Sequence, residues 1–151
     1  MQLVQRAIEY KRAEAKDAKR GRGRPHDQIW CVFDRDEHPH FDEAVKLAMD
    51  HGIHVAMSNP CIELWFVLHF EDRTAFLDRR EAQHRATELL GCGKVLAPAA
   101  VDALIGRFHD AARRARKLDA KHAGDGSPPG SNPSTGVWRL VEEIRKGRPS
   151  S

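Results

Sequence analysis

A chain of 151 residues, 40% hydrophobic and 31% charged, can bury one compact core and is too short for two full domains. Its formal net charge of +3 permits an anionic partner without demanding one. No apolar run approaches the roughly 18 to 20 residues of a membrane span, no signal-like segment opens the chain, and Cys31, Cys61 and Cys92 form no CxxC pair; the expectation is a soluble, cytoplasmic protein with reduced thiols.

In chain order, residues 2 to 20 carry Leu3, Val4, Ala7 and Ile8 on one side and read as an amphipathic helix. GRGRP, residues 21 to 25, breaks it and forms a basic loop. QIWCVF, residues 28 to 33, shows no polar alternation, which predicts a central parallel strand buried on both faces. FDEAVKLAMDHG, residues 41 to 52, has Phe41, Ala44, Val45 and Ala48 at helical spacing and closes on Gly52, a natural residue just past a helix end. IHVAM, residues 53 to 57, predicts a second strand. Residues 28 to 57 therefore form a strand, helix, strand unit with parallel strands.

SNPCIELWFVLHF, residues 58 to 70, reads as a buried helix with Pro60 at its first position and Asn59 as its cap. Trp65 and Phe66 belong to core packing, and His69 reads as a hydrogen-bonded core histidine. Further helices are expected over residues 78 to 91 and about 98 to 122, the second amphipathic through Val101, Leu104, Ile105, Phe108, Ala112 and Ala115. Residues 124 to 134 have loop composition and contain a second Ser-Asn-Pro, residues 135 to 147 make a last helix with Trp138 packed inward, and RPSS, residues 148 to 151, reads as a frayed tail. The fold class is α/β in a single domain, residues 1 to 151, with an α/β core over about 1 to 70 and a helical lobe over about 71 to 147.

The charged stretch DRDEHPH, residues 34 to 40, leaves the first strand at its carboxyl end, where open parallel sheets place their ligands. Ser58 and Asn59 leave the second strand on the same rim. Asp34 and Asp36 on one short turn offer two hard carboxylates suited to Mg²⁺ or Mn²⁺; the competing reading makes Asp34 a helix cap and Asp36 a solvated charge, with Arg35 pairing to the acids. Glu63 shifts the balance toward a site, because it is the one formal charge in an otherwise apolar helix. His38 and His40 flank Pro39 and read as surface residues or phosphate contacts, with a Zn²⁺ or Fe²⁺ site the lesser reading. Arg113, Arg114, Arg116, Lys117 and Lys121 form either a solvated helix face or, beside the acids, a grip for a phosphate backbone. No Gly-rich phosphate loop and no nucleophilic triad stands out.

Three stretches, IWCVFDRDEHPHFDEAVKLA, VAMSNPCIELWFVLHF and GDGSPPGSNPSTGVWRLVEE, resemble the RloB-like proteins of bacterial restriction-modification and abortive phage-infection loci, over about residues 26 to 145. The resemblance implies a Toprim-like three-layer core with a short parallel sheet, and a phage-defence nuclease that binds Mg²⁺ or Mn²⁺ and acts on nucleic-acid phosphodiesters. It carries the family's Asp-x-Asp onto Asp34 and Asp36, its Ser-Asn-Pro-x-x-Glu-x-Trp onto Ser58, Asn59, Pro60, Glu63 and Trp65, and its late Asn-Pro-Ser-Thr onto Asn132 to Thr135. The catalytic and metal-binding candidates are Asp34, Asp36 and Glu63; the substrate-binding candidates are Arg35, His38, Ser58, Asn59, Arg113, Arg116 and Lys117. Similar proteins open with a strand and a Glu-Gly-x-x-Thr-Glu segment, whereas this sequence opens in a helix, so the resemblance also implies an N-terminal truncation that removes a strand and an acid. The alternative is a non-catalytic module that binds nucleic acid or docks on a restriction or effector protein, its acids paired with Arg35 and the arginine-rich helix.

Overall fold

The computed structural model describes residues 1–147, apart from the side chain of Glu37; the expected frayed tail lies outside them. Helix α1 spans Gln2–Lys19 and buries Val4 and Ile8. Strand β1, Trp30–Asp34, leads through a short 3-10 turn into α2, Phe41–Asp50, and β2, His54–Asn59, pairs with β1 in parallel, as the strand, helix, strand unit requires. Gly52 takes φ +63° just beyond α2, the left-handed conformation that a side chain disfavours.

Five more helices and a two-residue strand follow. They are α3 (Glu63–Leu68), α4 (Arg79–Leu90), α5 (Pro98–Gly106), α6 (Phe108–Gly124), β3 (Ser134–Thr135) and α7 (Val137–Lys146). The sheet runs β1-β2-β3, with β3 antiparallel to β2 through Ser58↔Thr135 and Asn59↔Ser134. The sheet is therefore mixed, because the segment after the second Ser-Asn-Pro turns back along β2. The long helix expected over 98 to 122 is broken between α5 and α6, where Arg107 leaves helical geometry directly after Gly106.

One layer of helices, α1 and α2, packs on Cys31 and Phe33 of β1. On the other side Ala56 of β2 meets Cys61, Leu64, Leu68, Phe108 and Leu118 from α3, α6 and the turn before α3. Each fully buried Leu or Phe contributes about 1.5 to 3 kcal/mol through area removed from water. Strand β1 is not the doubly buried central strand that its sequence predicts: it lies at the edge of the sheet, and Val32 is 43% exposed. The physical reason is that α3 and α7 pack against β2, so the second face of β1 is only partly covered.

The two Ser-Asn-Pro turns meet. The first does not open a helix as expected, for α3 starts only at Glu63, and Asn59, the expected cap, ends β2. Both Asn-Pro bonds are cis. The Asn59 side-chain amide donates to the Gly130 carbonyl at 2.9 Å, and Ser58 Oγ bonds Thr135 Oγ1 at 2.8 Å in the buried interior. Asn132 works as a bracket: its Oδ1 accepts the Leu77 N–H at 2.9 Å while its Nδ2 donates to the Leu77 carbonyl at 2.7 Å. Backbone groups of the segment before α4 thus find partners on a side chain 55 residues away.

Candidate functional site

Strand β1 ends by delivering Asp34 to the rim of the sheet opposite Ser58. Asp34 Oδ1 accepts the Ile62 N–H at 2.9 Å, which ties β1 to the turn that opens α3. Two residues further, the 3-10 turn lifts Asp36 out toward solvent. The next element to arrive is α4, whose Asp78 and Glu81 form a reciprocal capping box and so fix the first helical residue, Arg79.

Arg79 spans the Asp-x-Asp pair. Its Nε donates to Asp36 Oδ2 at 2.8 Å, and its Nη2 donates to Asp36 Oδ1 at 2.7 Å and to Asp34 Oδ2 at 3.0 Å. A cation in the first turn of a helix opposes the helix dipole by about 0.3 to 1 kcal/mol. The charge-assisted, bidentate contact outweighs that cost at this partly buried position.

The two aspartates are pushed in opposite directions. Burial raises the Asp34 carboxyl above its ordinary value, the neighbouring Glu63 adds to the rise, and the Ile62 N–H and Arg79 only partly offset it. Asp36 is held below its ordinary value, chiefly by the hydrogen bonds from Arg79. Glu63 stands at the first position of α3, and its Oε2 is buried without a hydrogen-bond partner. Cys61, two residues earlier and fully buried, has its thiol pushed far up by burial and by the Glu63 carboxylate. Asp34, Glu63 and Arg79 open onto one cleft of about 580 Å³, which Gln83, Thr87 and Lys94 also line.

The structure thus gathers Asp34, Asp36 and Glu63 around Arg79. Ser58 is fully buried against Thr135, and Asn59 is committed to Gly130 and Asn132, so neither faces the cleft. Arg35 does not pair with the aspartates; it donates to the His38 carbonyl at 3.3 Å and covers the Phe41 ring at 4.7 Å. His38 packs edge-on against Phe33. The basic residues of α6 are engaged elsewhere: Arg113 with Asp110 at 2.9 Å, Arg116 with Glu142, and Lys117 with Asp72 at 3.8 Å. Arg113 and Lys117 line a separate hollow with Asp72. His69, as expected, is buried and donates from Nδ1 to the Trp65 carbonyl at 2.7 Å.

Among the described residues no group of three or more His, Cys, Asp or Glu side chains could by itself hold a metal ion. What the cleft offers a dication is narrower: Asp34 and Glu63, both hard oxygen donors, one with a raised carboxyl and the other with an orphaned buried oxygen. That fits Mg²⁺, which commonly takes one or two carboxylates and completes its octahedron with water and substrate phosphate. It does not fit an all-protein cage.

Sequence reasoning missed Arg79, whose partners lie 43 and 45 residues upstream. One signal was present: Arg79 and Arg80 follow an Asp78 cap, and two cations in a first turn are electrostatically misplaced unless something anionic faces them.

The family model described as RloB-like protein matches residues 1–144. No curated protein and no solved structure matches the chain.

Proposed function

The chain belongs to the RloB-like family, and from that premise we propose that it acts on nucleic-acid phosphodiesters with Mg²⁺ or Mn²⁺ held by Asp34 and Glu63. Membership implies a role associated with restriction-modification and phage defence. The observation that carries the finer reading is the buried, partnerless Glu63 Oε2 beside an Asp34 whose carboxyl is pushed up. Two carboxylates crowded into a cleft create a demand for positive charge, and an open coordination shell would be completed by the substrate's own phosphate oxygens. When bound, the ion would polarise the phosphate and stabilise charge on the leaving oxygen.

The chain's residues divide the remaining work. The Ile62 N–H fixes the rotation of the Asp34 carboxylate, so its second oxygen is presented toward the cleft side where Arg79 lies. Asp36 holds the Arg79 guanidinium by two parallel hydrogen bonds and Asp34 accepts a third, so the arginine braces the Asp-x-Asp turn beside the cleft. Lys94 adds a second cation to the cleft lining. In this reading Asp36 positions Arg79, while Asp34 and Glu63 meet the ion.

The test is a melting curve with and without millimolar Mn²⁺ or Mg²⁺ for the wild type and Glu63→Gln, followed by a cleavage assay on labelled DNA and RNA strands. A ligand that binds only the folded state must raise the melting temperature. A rise in the wild type that Glu63→Gln abolishes, with metal-dependent strand cleavage, supports the reading. Identical melting curves and intact strands overturn it.

One observation favours a second reading. Arg79 already neutralises both aspartates from within the chain, as a non-catalytic module for nucleic acid or a restriction or effector protein would require. In that case metal leaves the melting temperature unchanged while Arg79 remains essential to stability.

A further inference from the structure

A second cavity, of about 430 Å³, shares no lining residue with the acid cleft. Strand alternation places it on the other face of the sheet: Val55 and Met57 of β2 line it, whereas Ala56 packs into the opposite core. Phe41 and Val45 of α2 continue the apolar wall. Its polar corner comes from the far end of the chain, from Asp119 of α6, Ser134 of β3 and Arg139 of α7.

These three polar side chains are incompletely used. Asp119 and Arg139 face each other at 3.5 Å, longer than a good hydrogen bond, and their side chains are 35% and 56% exposed. The Arg139 guanidinium carbon also lies over the Trp138 ring, 4.7 Å from its centroid. Ser134 is only 2% exposed, yet its hydroxyl oxygen is buried without a hydrogen-bond partner. Burial pushes the Asp119 carboxyl up, with Arg139 and the neighbouring Trp138 indole N–H opposing only in part, so further N–H groups donated to that carboxylate would be well received.

We propose that this cavity binds a guanine base. A planar base suits the apolar wall formed by Phe41, Val45, Val55 and Met57. Guanine offers two adjacent N–H donors on its pairing edge, which a carboxylate can accept together, and O6 and N7 acceptors, which a guanidinium recognises. Adenine presents one donor beside an acceptor on the same edge and cannot satisfy Asp119 twice. The base can belong to a free nucleotide or to a single strand with splayed bases. The inference does not depend on the metal reading, since the two cavities have separate walls.

The experiment titrates the full chain calorimetrically with GMP and with AMP, then with short DNA and RNA strands carrying one guanine in a pyrimidine background. GMP binds about tenfold or more tighter than AMP, the discrimination expected of one bidentate base contact. Asp119→Asn weakens GMP by a similar factor and narrows the gap to AMP. Val45→Phe, which narrows the slot from α2, lowers affinity for both nucleotides and carries the comparison should Asp119→Asn fail to melt cooperatively. A guanine strand that binds tighter than GMP identifies nucleic acid as the source; GMP binding tighter than the strand identifies a free nucleotide. Equal affinity for GMP and AMP, no GMP binding at millimolar concentration, or affinity unchanged in the variants overturns the proposal.

Discussion

Arg79 holds Asp36 by both carboxylate oxygens, at 2.8 and 2.7 Å, while the same guanidinium reaches Asp34 at 3.0 Å. The two acids of the Asp-x-Asp turn are thus joined by a residue from a different helix, and the consequences of breaking that joint can be measured.

Arg79→Met retains the stem and removes the charge, so Asp34 and Asp36 lose their shared partner. The loss amounts to about 1 to 3 kcal/mol, the cost of stranding partly buried charged acceptors. Urea denaturation measures it. Arg79→Lys recovers little, because a point charge cannot match the fork geometry. If the metal reading holds, Mg²⁺ stabilises Arg79→Met more than the wild type, since the ion then meets uncompensated carboxylates.

The acids respond to pH with opposite signs. Asp36 is lowered in the folded state, so its contribution is present above the unfolded value and is lost as pH falls through the folded one. Asp34 is raised, so the folded state binds its proton more tightly, and stability falls as pH rises through the raised range. The loss of stability as pH rises through the raised Asp34 range is therefore absent in Asp34→Asn, and the loss as pH falls through the lowered Asp36 range is absent in Asp36→Asn. Melting curves of the wild type and both variants across about pH 3 to 7 give the answer directly; variant and wild-type profiles that run parallel contradict the signs.

Glu63→Met replaces an orphaned buried oxygen with an apolar group of similar length. The variant gains about 1 kcal/mol in the absence of metal, because an unsatisfied buried acceptor is removed. The same change erases any stabilisation by Mn²⁺. A stability gain with loss of metal response is the signature of a residue kept for function at some cost to the fold.

Asn132→Ala leaves the N–H and carbonyl of Leu77 without partners and costs about 1 to 3 kcal/mol in chemical denaturation. Asn132→Asp is nearly as harmful, since a carboxylate accepts the N–H but faces the carbonyl with no donor. Amide exchange at Leu77 accelerates in Asn132→Ala and less in Asn132→Asp, whose carboxylate still accepts that N–H.

The strand, helix, strand unit was legible because apolar runs and a closing Gly52 are local signals. Glu63 was legible as a site candidate for the same reason: one charge in an apolar helix stands out against its neighbours. Arg79 was not, because its role exists only after α4 folds back on β1. The same limit applies to Ser58 and Asn59. Their position after a strand pointed to a ligand, yet the groups that occupy them, Thr135 and Gly130, come from the other end of the chain. The exposure of Val32 was likewise invisible, since an apolar run cannot reveal whether a strand lies in the middle of a sheet or at its edge. The break at Gly106 had a local cause, but periodicity continued through it and favoured one long helix.

The Asn132 bracket has a consequence for the order of synthesis. Asp34, Glu63 and Arg79 all precede the side chain that fastens Leu77 ahead of α4, which is made 55 residues after Leu77 itself. A nascent polypeptide halted before residue 132 already contains every acid of the cleft without the strut that steadies its arginine. Assembly of the cleft therefore waits until the second Ser-Asn-Pro turn has been made.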